Sequence, residues 1–462
     1  MDLLKLAKEH QEDFLNDLNT LVSIESTRDK EHAYENAPFG PNPRKVLDAM
    51  LEMGKRDGFD TQDVDGYAGV ISYGDQEETL GILGHLDIVP LGEGWTKEPL
   101  KVTLNDGYIF GRGVMDDKGP ALAAYYAMKI LKEQGVKLNK KIMVICGCDE
   151  ESGMECMNYY KDHGQIPDMG FVPDANFPVI YGEKGGAHIV LKSDEPTVIE
   201  SLHAGSRPNI VIGKADVKLP SMSEEQEKEF AFYLKSNQLE GSVAREDDGV
   251  ILHIEGVPAH AAMPYLGVNA ALHLLNFVGA AYDDKLARDL YGLLKDWQGQ
   301  PAGIFKEGLY MGFLTMNTGI VDIENNHTEV MVDIRYPNEM SGADVYEGFA
   351  KAAAQKESKI EVILDSDSKP LFVDPNSKLV KDLMSSYAKF TGDTASPAIT
   401  IGGGTYARKF DNFVSFGPEL PNEVIETEQF VGGCHQRDEG IKLDNLIQAI
   451  AIYADAILNL AV

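Results

Sequence analysis

Histidine and carboxylate side chains recur at the ends of short apolar runs in this sequence. GHLDIVP places His85 and Asp87 directly behind TLGILG, and GRGVMDDKGP places Asp116 and Asp117 just before a helical pattern. GCDEESG follows KIMVIC with Asp149, Glu150 and Glu151 in a row; VPDANFP supplies Asp174, and GGCHQRDEG, far down the chain, supplies His435. Taken singly, each has a plain reading: His85 as a hydrogen-bonded structural histidine, Asp116 as a helix cap, Asp174 as a turn residue before Pro178, the acidic triplet as a solvated turn. Adjacent carboxylates repel, however, and five such positions with no cysteine among them point to a cation. Imidazole and carboxylate ligands suit Zn²⁺, Mn²⁺ or Co²⁺, whereas closed thiolate sites are structural.

These residues need a scaffold that gathers strand ends. Strand-like TLGILG (79–84), KIMVICG (141–147) and MGFVPD (169–174) alternate with the helical pattern GPALAAYYAMKILKEQG (119–135), which predicts an α/β sheet with its ligand site beyond the carboxyl ends of the strands. Near GEKGGAH the pattern changes to strands such as HIVLK and GVILHIEG with helices at SEEQEKEFAFYL and NAALHLLNFVGAAY. From about Leu379 the α/β character returns with LVKDLMSSYAKF, AITIG and DNLIQAIAIYADAIL. The expected organisation is a discontinuous catalytic domain, 1–184 and 378–462, interrupted by an inserted domain at 185–377.

The chain has 462 residues, 43% of them apolar, and a formal charge of −32 from 42 basic and 74 acidic side chains. That balance argues against nucleic acid and anionic membranes as partners, since both demand clustered Lys and Arg. The N-terminal MDLLKLAKEHQEDFLNDLNTLVSI reads as an amphipathic helix and not as a signal peptide. The C-terminal AIYADAILNLAV is interrupted by Asp455, so no membrane span is expected. The four cysteines form no CxxC pair and are expected to be buried free thiols, consistent with a cytoplasmic protein.

Together, GHLDIVP, GRGVMDDKGP, GCDEESG, VPDANFP, GVPAHAAMP and CHQRDEGI resemble the motif set of the co-catalytic metallopeptidases, a family that includes glutamate carboxypeptidases, aminoacylases, succinyl-diaminopimelate desuccinylase and carnosinase. Their spacing, with TIGGGTYAR, most closely resembles the bacterial peptidase V-type dipeptidases. The resemblance covers nearly the whole chain. It implies a phosphorylase/hydrolase-like catalytic domain, with a mixed sheet and helices on both faces, and an inserted α+β lid. It also implies two divalent ions, Zn²⁺ first, with Asp116 bridging them, His85 and Asp174 completing one site, and Glu151 and His435 the other.

Asp87 can then accept the second ring N–H of His85. Side chains alternate beyond a strand, so Glu151 can reach a metal while Glu150 stands over the water as general base and acid; Asp149 is expected to be a solvated turn acid. From the inserted domain, the resemblance implies His260 as hydrogen-bond donor to the oxyanion, with Asn209 and Arg335 as substrate contacts, the latter holding a terminal carboxylate. Relatives hold the peptide after the bridging aspartate in the cis form, so Asp116–Asp117 is expected to be cis. The expected reaction is hydrolysis of small peptides, dipeptides with a free amino end, by a monomer whose lid serves its own catalytic domain, with a dimer as the alternative.

Three other readings stand beside this one. GGGTYA fits a dinucleotide-binding fingerprint, but the chain beyond Gly402 is too short for the remaining strands of such a fold. A non-catalytic metal-binding relative has no use for a non-ligating Glu150. An N-acyl or N-succinyl amino acid deacylase uses the same chemistry and differs only in pocket shape.

Overall fold

The structure is a computed structural model that describes residues 1–421 and 423–462. The chain forms two compact units. One comprises Met1–Gly182, Phe372–Ile399 and Gly404–Val462, the other Glu183–Leu371 and Thr400–Gly403.

The first unit is built on a mixed sheet. Its neighbours run in the order Asp60–Val64, Ala68–Tyr73, Lys141–Gly147, Thr79–His85, Met169–Val172, Phe413–Ser415 and Ile180–Glu183. Thr79–His85, Lys141–Gly147, Met169–Val172 and Phe413–Ser415 are parallel, so their carboxyl ends open on the same edge. Thr79–His85 is buried throughout, as befits a central strand with both faces covered. Helices cover both faces. A side chain at Gly84 would meet Ala121 of the helix Lys118–Glu133, whereas one at Gly147, on the other face, would meet Met157 of the helix Glu155–His163.

The N-terminal amphipathic segment is two helices, Leu3–Glu9 and Gln11–Val22, divided at His10. The C-terminal helix Leu443–Ala461 has the length and composition of a membrane span. Its apolar residues are instead spent inside the unit, where Leu446, Ile447, Ile450, Tyr453 and Ile457 are buried, and Asp455 pairs with Lys389.

The second unit is α+β. Eight antiparallel strands run in the order Glu240–Glu246, Gly249–Glu255, Lys214–Leu219, Ser201–Ala204, Thr315–Glu324, His327–Tyr336, Gly185–Ser193 and Glu361–Ser368. Alternation decides which face is apolar. Ala187, Ile189, Leu191, Val330, Val332 and Ile334 join the core with the helices Glu224–Ser236, Ala270–Ala281, Lys285–Leu294 and Gly342–Ala353. His188, Asp333 and Arg335 alternate with them and lie on the opposite face.

Candidate metal centre

The parallel strands deliver their ligands by simply ending. His85 is the last residue of Thr79–His85, Glu151 follows Lys141–Gly147 after a turn, and Asp174 follows Met169–Val172. Asp116 precedes the helix Lys118–Glu133, across a cis Asp116–Asp117 peptide as expected. His435 arrives from the loop before the strand Gly440–Lys442.

The five side chains form two triads that share one residue: His85, Asp116 and Asp174, and Asp116, Glu151 and His435, with each triad's ligand atoms within 4.8 Å of one another. His85 Nε2 lies 2.9 Å from Asp116 Oδ1 and 3.7 Å from Asp174 Oδ2. His435 Nε2 lies 3.1 Å from the other Asp116 oxygen and 3.1 Å from Glu151. Ligands held at the usual metal distances in a tetrahedron are themselves about 3.3 Å apart, so these separations fit a divalent ion in each triad. The donor set is also chemically suited, being two imidazoles and three carboxylates.

Electrostatics show what the cluster is like without cations. Burial pushes Glu150 up to about 8, with the charges of Glu151, Asp87 and Asp116 adding to it against the pull of His85. Burial also holds Asp174 well above the carboxylate range, helped by Asp117 and Asp116. Asp116 is held below that range despite its burial, because His435 and His85 both hydrogen-bond to it. His435 is raised to about 10 by its hydrogen bonds to Asp116 and Glu151. The Glu150 carboxylate makes no hydrogen bond among the described residues and belongs to neither triad.

Asp87 faces the second ring nitrogen of His85 with two acceptors. His85 Nδ1 is 3.0 Å from the backbone carbonyl of Asp87 and 3.5 Å from its carboxylate. A ring N–H at Nδ1 donates to this residue and leaves Nε2 as the ligating atom. The Asp87 carboxylate also accepts from the amides of Glu150 at 3.1 Å and Glu151 at 3.2 Å. Asp149 is not a solvated acid: it is buried, pairs with Arg28 at 2.9 Å and accepts the Glu155 amide at 2.9 Å.

Two further groups were missed in the sequence. Asp117 Oδ2 accepts the His85 amide at 2.9 Å. Glu439 Oε1 accepts the amides of Gly113, Met115 and Asp116 at 2.9, 3.0 and 3.2 Å. Both lie inside motifs that drew attention, MDDKG and CHQRDEG, but nothing in those letters says that their oxygens bind backbone. Of the cysteines, Cys146, Cys148 and Cys156 are buried free thiols, while Cys434 is exposed, contrary to expectation.

His260, Asn209 and Arg335 all lie in the second unit. His260 and Ile210 form an isolated antiparallel bridge, and the Ala261 amide donates to the Asn209 carbonyl at 2.9 Å. Asn317 braces this pairing by donating to the carbonyls of Pro208 at 2.8 Å and Ile210 at 3.1 Å. His260 Nδ1 accepts the Ala262 amide at 3.1 Å, and burial together with the nearby Arg335 charge lowers the ring's pKa. A neutral ring whose Nδ1 accepts must carry its proton on Nε2, which makes Nε2 a donor. Arg335 is held by a bidentate pair with Asp333, Nε and Nη2 each at 2.7 Å.

A mixed sheet whose parallel strands end in His and carboxylate side chains, gathered into two triads that could each hold a metal ion, is the scaffold of a metallohydrolase. The chain matches the model of Peptidase family M20/M25/M40 over residues 81–459 and belongs to that family of metallopeptidases. It is 38% identical over 470 residues to a Staphylococcus epidermidis protein named "Putative dipeptidase", covering 98% of both chains. A Staphylococcus haemolyticus relative with the same description is 36% identical over 471 residues, again covering 98% of each. Among solved structures, the fold matches human carnosine dipeptidase 1 with a TM-score of 0.57 at 15% identity, covering 99% of this chain and 98% of that one. It matches a Staphylococcus aureus tripeptidase with a TM-score of 0.59 at 16% identity, covering 97% of each.

Proposed function

We propose that this metallopeptidase hydrolyses dipeptides with a free amino end, using two divalent cations, Zn²⁺ first and Mn²⁺ or Co²⁺ as alternatives. The observation that carries the reading is the pair of triads sharing Asp116 with an unpartnered glutamate beside them. His85 and Asp174 would hold one ion, Glu151 and His435 the other, and Asp116 both. Bound cations supply Lewis acidity to the scissile carbonyl and to a water molecule, and their charge offsets the repulsion among these carboxylates.

The chain's own groups do the rest. Glu150 would take the proton of the attacking water and pass it to the leaving amine. Asp87 fixes the split between Glu150 and Glu151 by holding both backbone amides. His260 offers its Nε2–H to the developing oxyanion, a donor typically worth about 3 kcal/mol of barrier. Arg335, oriented by Asp333, takes the substrate's terminal carboxylate through its remaining N–H groups, and Asn209 adds a polar contact. The staphylococcal relatives' names favour peptides over N-acyl amino acids. We place the activity in the cytoplasm, where Cys146, Cys148 and Cys156 stay reduced.

The deciding experiment is a hydrolysis screen of dipeptides, tripeptides and N-acyl amino acids on metal-reconstituted protein. Preferential cleavage of dipeptides with a free amine is expected; preferential cleavage of N-acyl amino acids would replace this reading with the deacylase.

A further inference from the structure

We propose that Glu439 is a positioning residue that joins the two metal triads, acting through Asp116 and His435 without touching either ion. The proposal rests on the metal-site reading above and adds a group that reading does not use.

Glu439 is a fully buried carboxylate with every oxygen committed. Oε1 accepts three amides of the segment that presents Asp116, those of Gly113, Met115 and Asp116 itself. Oε2 takes Arg112 Nη1 at 2.7 Å, and the Arg112 guanidinium lies over the Trp95 ring at 5.0 Å. A single oxygen therefore fixes the peptide from which the shared ligand projects. Any rotation of that peptide would move both oxygens of Asp116, the one beside His85 and the one beside His435.

The backbone around Glu439 also closes the loop that carries His435, with Gly432 and Glu439 forming an isolated parallel bridge at its base. The Gly432 amide donates to the Asp438 carbonyl at 2.9 Å and the Gly440 amide to the Gly432 carbonyl at 3.0 Å, tying the loop at its base. Next to Glu439, the Asp438 carboxylate accepts the amides of Thr96 at 2.8 Å and Lys97 at 2.9 Å. His435 and Asp438 both sit at positive φ, 65° and 50°. Asp and His adopt such backbone more readily than most residues, and the Asp438–Glu439 anchor holds it in place here. One side chain thus sets the register between the Asp116 loop and the His435 loop, which are far apart in sequence.

The test is metal binding by Glu439→Gln, which keeps an oxygen for the amides but loses the charge and sets an NH₂ group against Arg112, and by Glu439→Asp, which keeps the charge but withdraws it. Metal titration of chelated protein by calorimetry, and the absorption spectrum of the Co²⁺ form, are the readouts. Metal affinity is expected to fall about 10–100-fold in both variants, with altered Co²⁺ bands. Turnover should fall with KM little changed. Wild-type affinity and spectrum in both variants, whatever the change in melting temperature of the metal-free protein, would overturn the proposal, since a purely structural role moves only the latter. If neither variant folds, Arg112→Lys decides, because it leaves the carboxylate in place and removes the fork that aims it: weakened metal binding supports the role and unchanged binding refutes it. Failure of the wild-type protein to bind two ions would instead count against the metal-site reading.

Discussion

At the scale of single residues, Glu150 and Glu151 are neighbours in one turn whose amides both donate to the Asp87 carboxylate, and the proposed function gives them different roles. Glu150→Gln is expected to retain two ions per chain while turnover drops by roughly 10²–10⁴-fold. Glu151→Gln should lose or weaken one ion, read by elemental analysis after gel filtration; equal metal content and equal rates in the two variants would dissolve the distinction. A second expectation concerns protons. In the cation-free protein His435 stays protonated until about pH 10, so at neutral pH an incoming metal must displace that proton. Affinity should accordingly rise with pH and fall on acidification. Calorimetry at pH 7 in two buffers of different ionisation enthalpy measures the release directly, and identical heats in both would contradict it.

At the scale of elements, the ligand-bearing strands approach so closely that glycine is required between them. A Cβ at Gly170 would stand 2.1 Å from the Gly81 carbonyl oxygen and 2.3 Å from the Phe413 ring. Gly170→Ala is expected to cost about 1–3 kcal/mol by overpacking, seen in the denaturant midpoint, while metal content per folded molecule stays the same. This is also the scale at which sequence reading served best. The apolar runs ending in His85, Gly147 and Val172 are strands because buried parallel strands need continuous apolar stretches, and that need is visible in the letters. Apart from Asp87 behind His85, what lies behind the ligands was not visible. Asp87, Asp117, Asp149 and Glu439 all grip backbone amides, and an amide has no residue-type signature to pair with across the sequence. The same blindness made Asp149 look solvated, although Arg28, from a distant segment, closes over it.

At the scale of the whole molecule, the two triads gather three carboxylates within a chain whose formal charge is −32, so cations should stabilise the fold as well as activate it. Chelation is expected to abolish activity and lower the melting temperature; added Zn²⁺, Mn²⁺ or Co²⁺ should restore both, with about 2.7 kcal/mol of stabilisation when free metal is a hundredfold above Kd. Full turnover with no residual metal would sink the two-ion reading. If the inserted unit serves its own chain, mixing His260→Ala with Glu150→Gln chains under subunit exchange should leave the mixture inactive, whereas recovered activity would show complementation between chains. The discontinuity of the first unit has a consequence for biosynthesis. The strand Phe413–Ser415, which pairs with Met169–Val172, and the residues His435 and Glu439 are translated only after the entire inserted unit. While a nascent chain emerges, its early segments can form local helices and hairpins, but Asp116 has neither its second histidine nor its backbone anchor. On the proposed ligand assignment, a chain stopped before His435 lacks a member of the second triad, so chains truncated there are expected to be inactive.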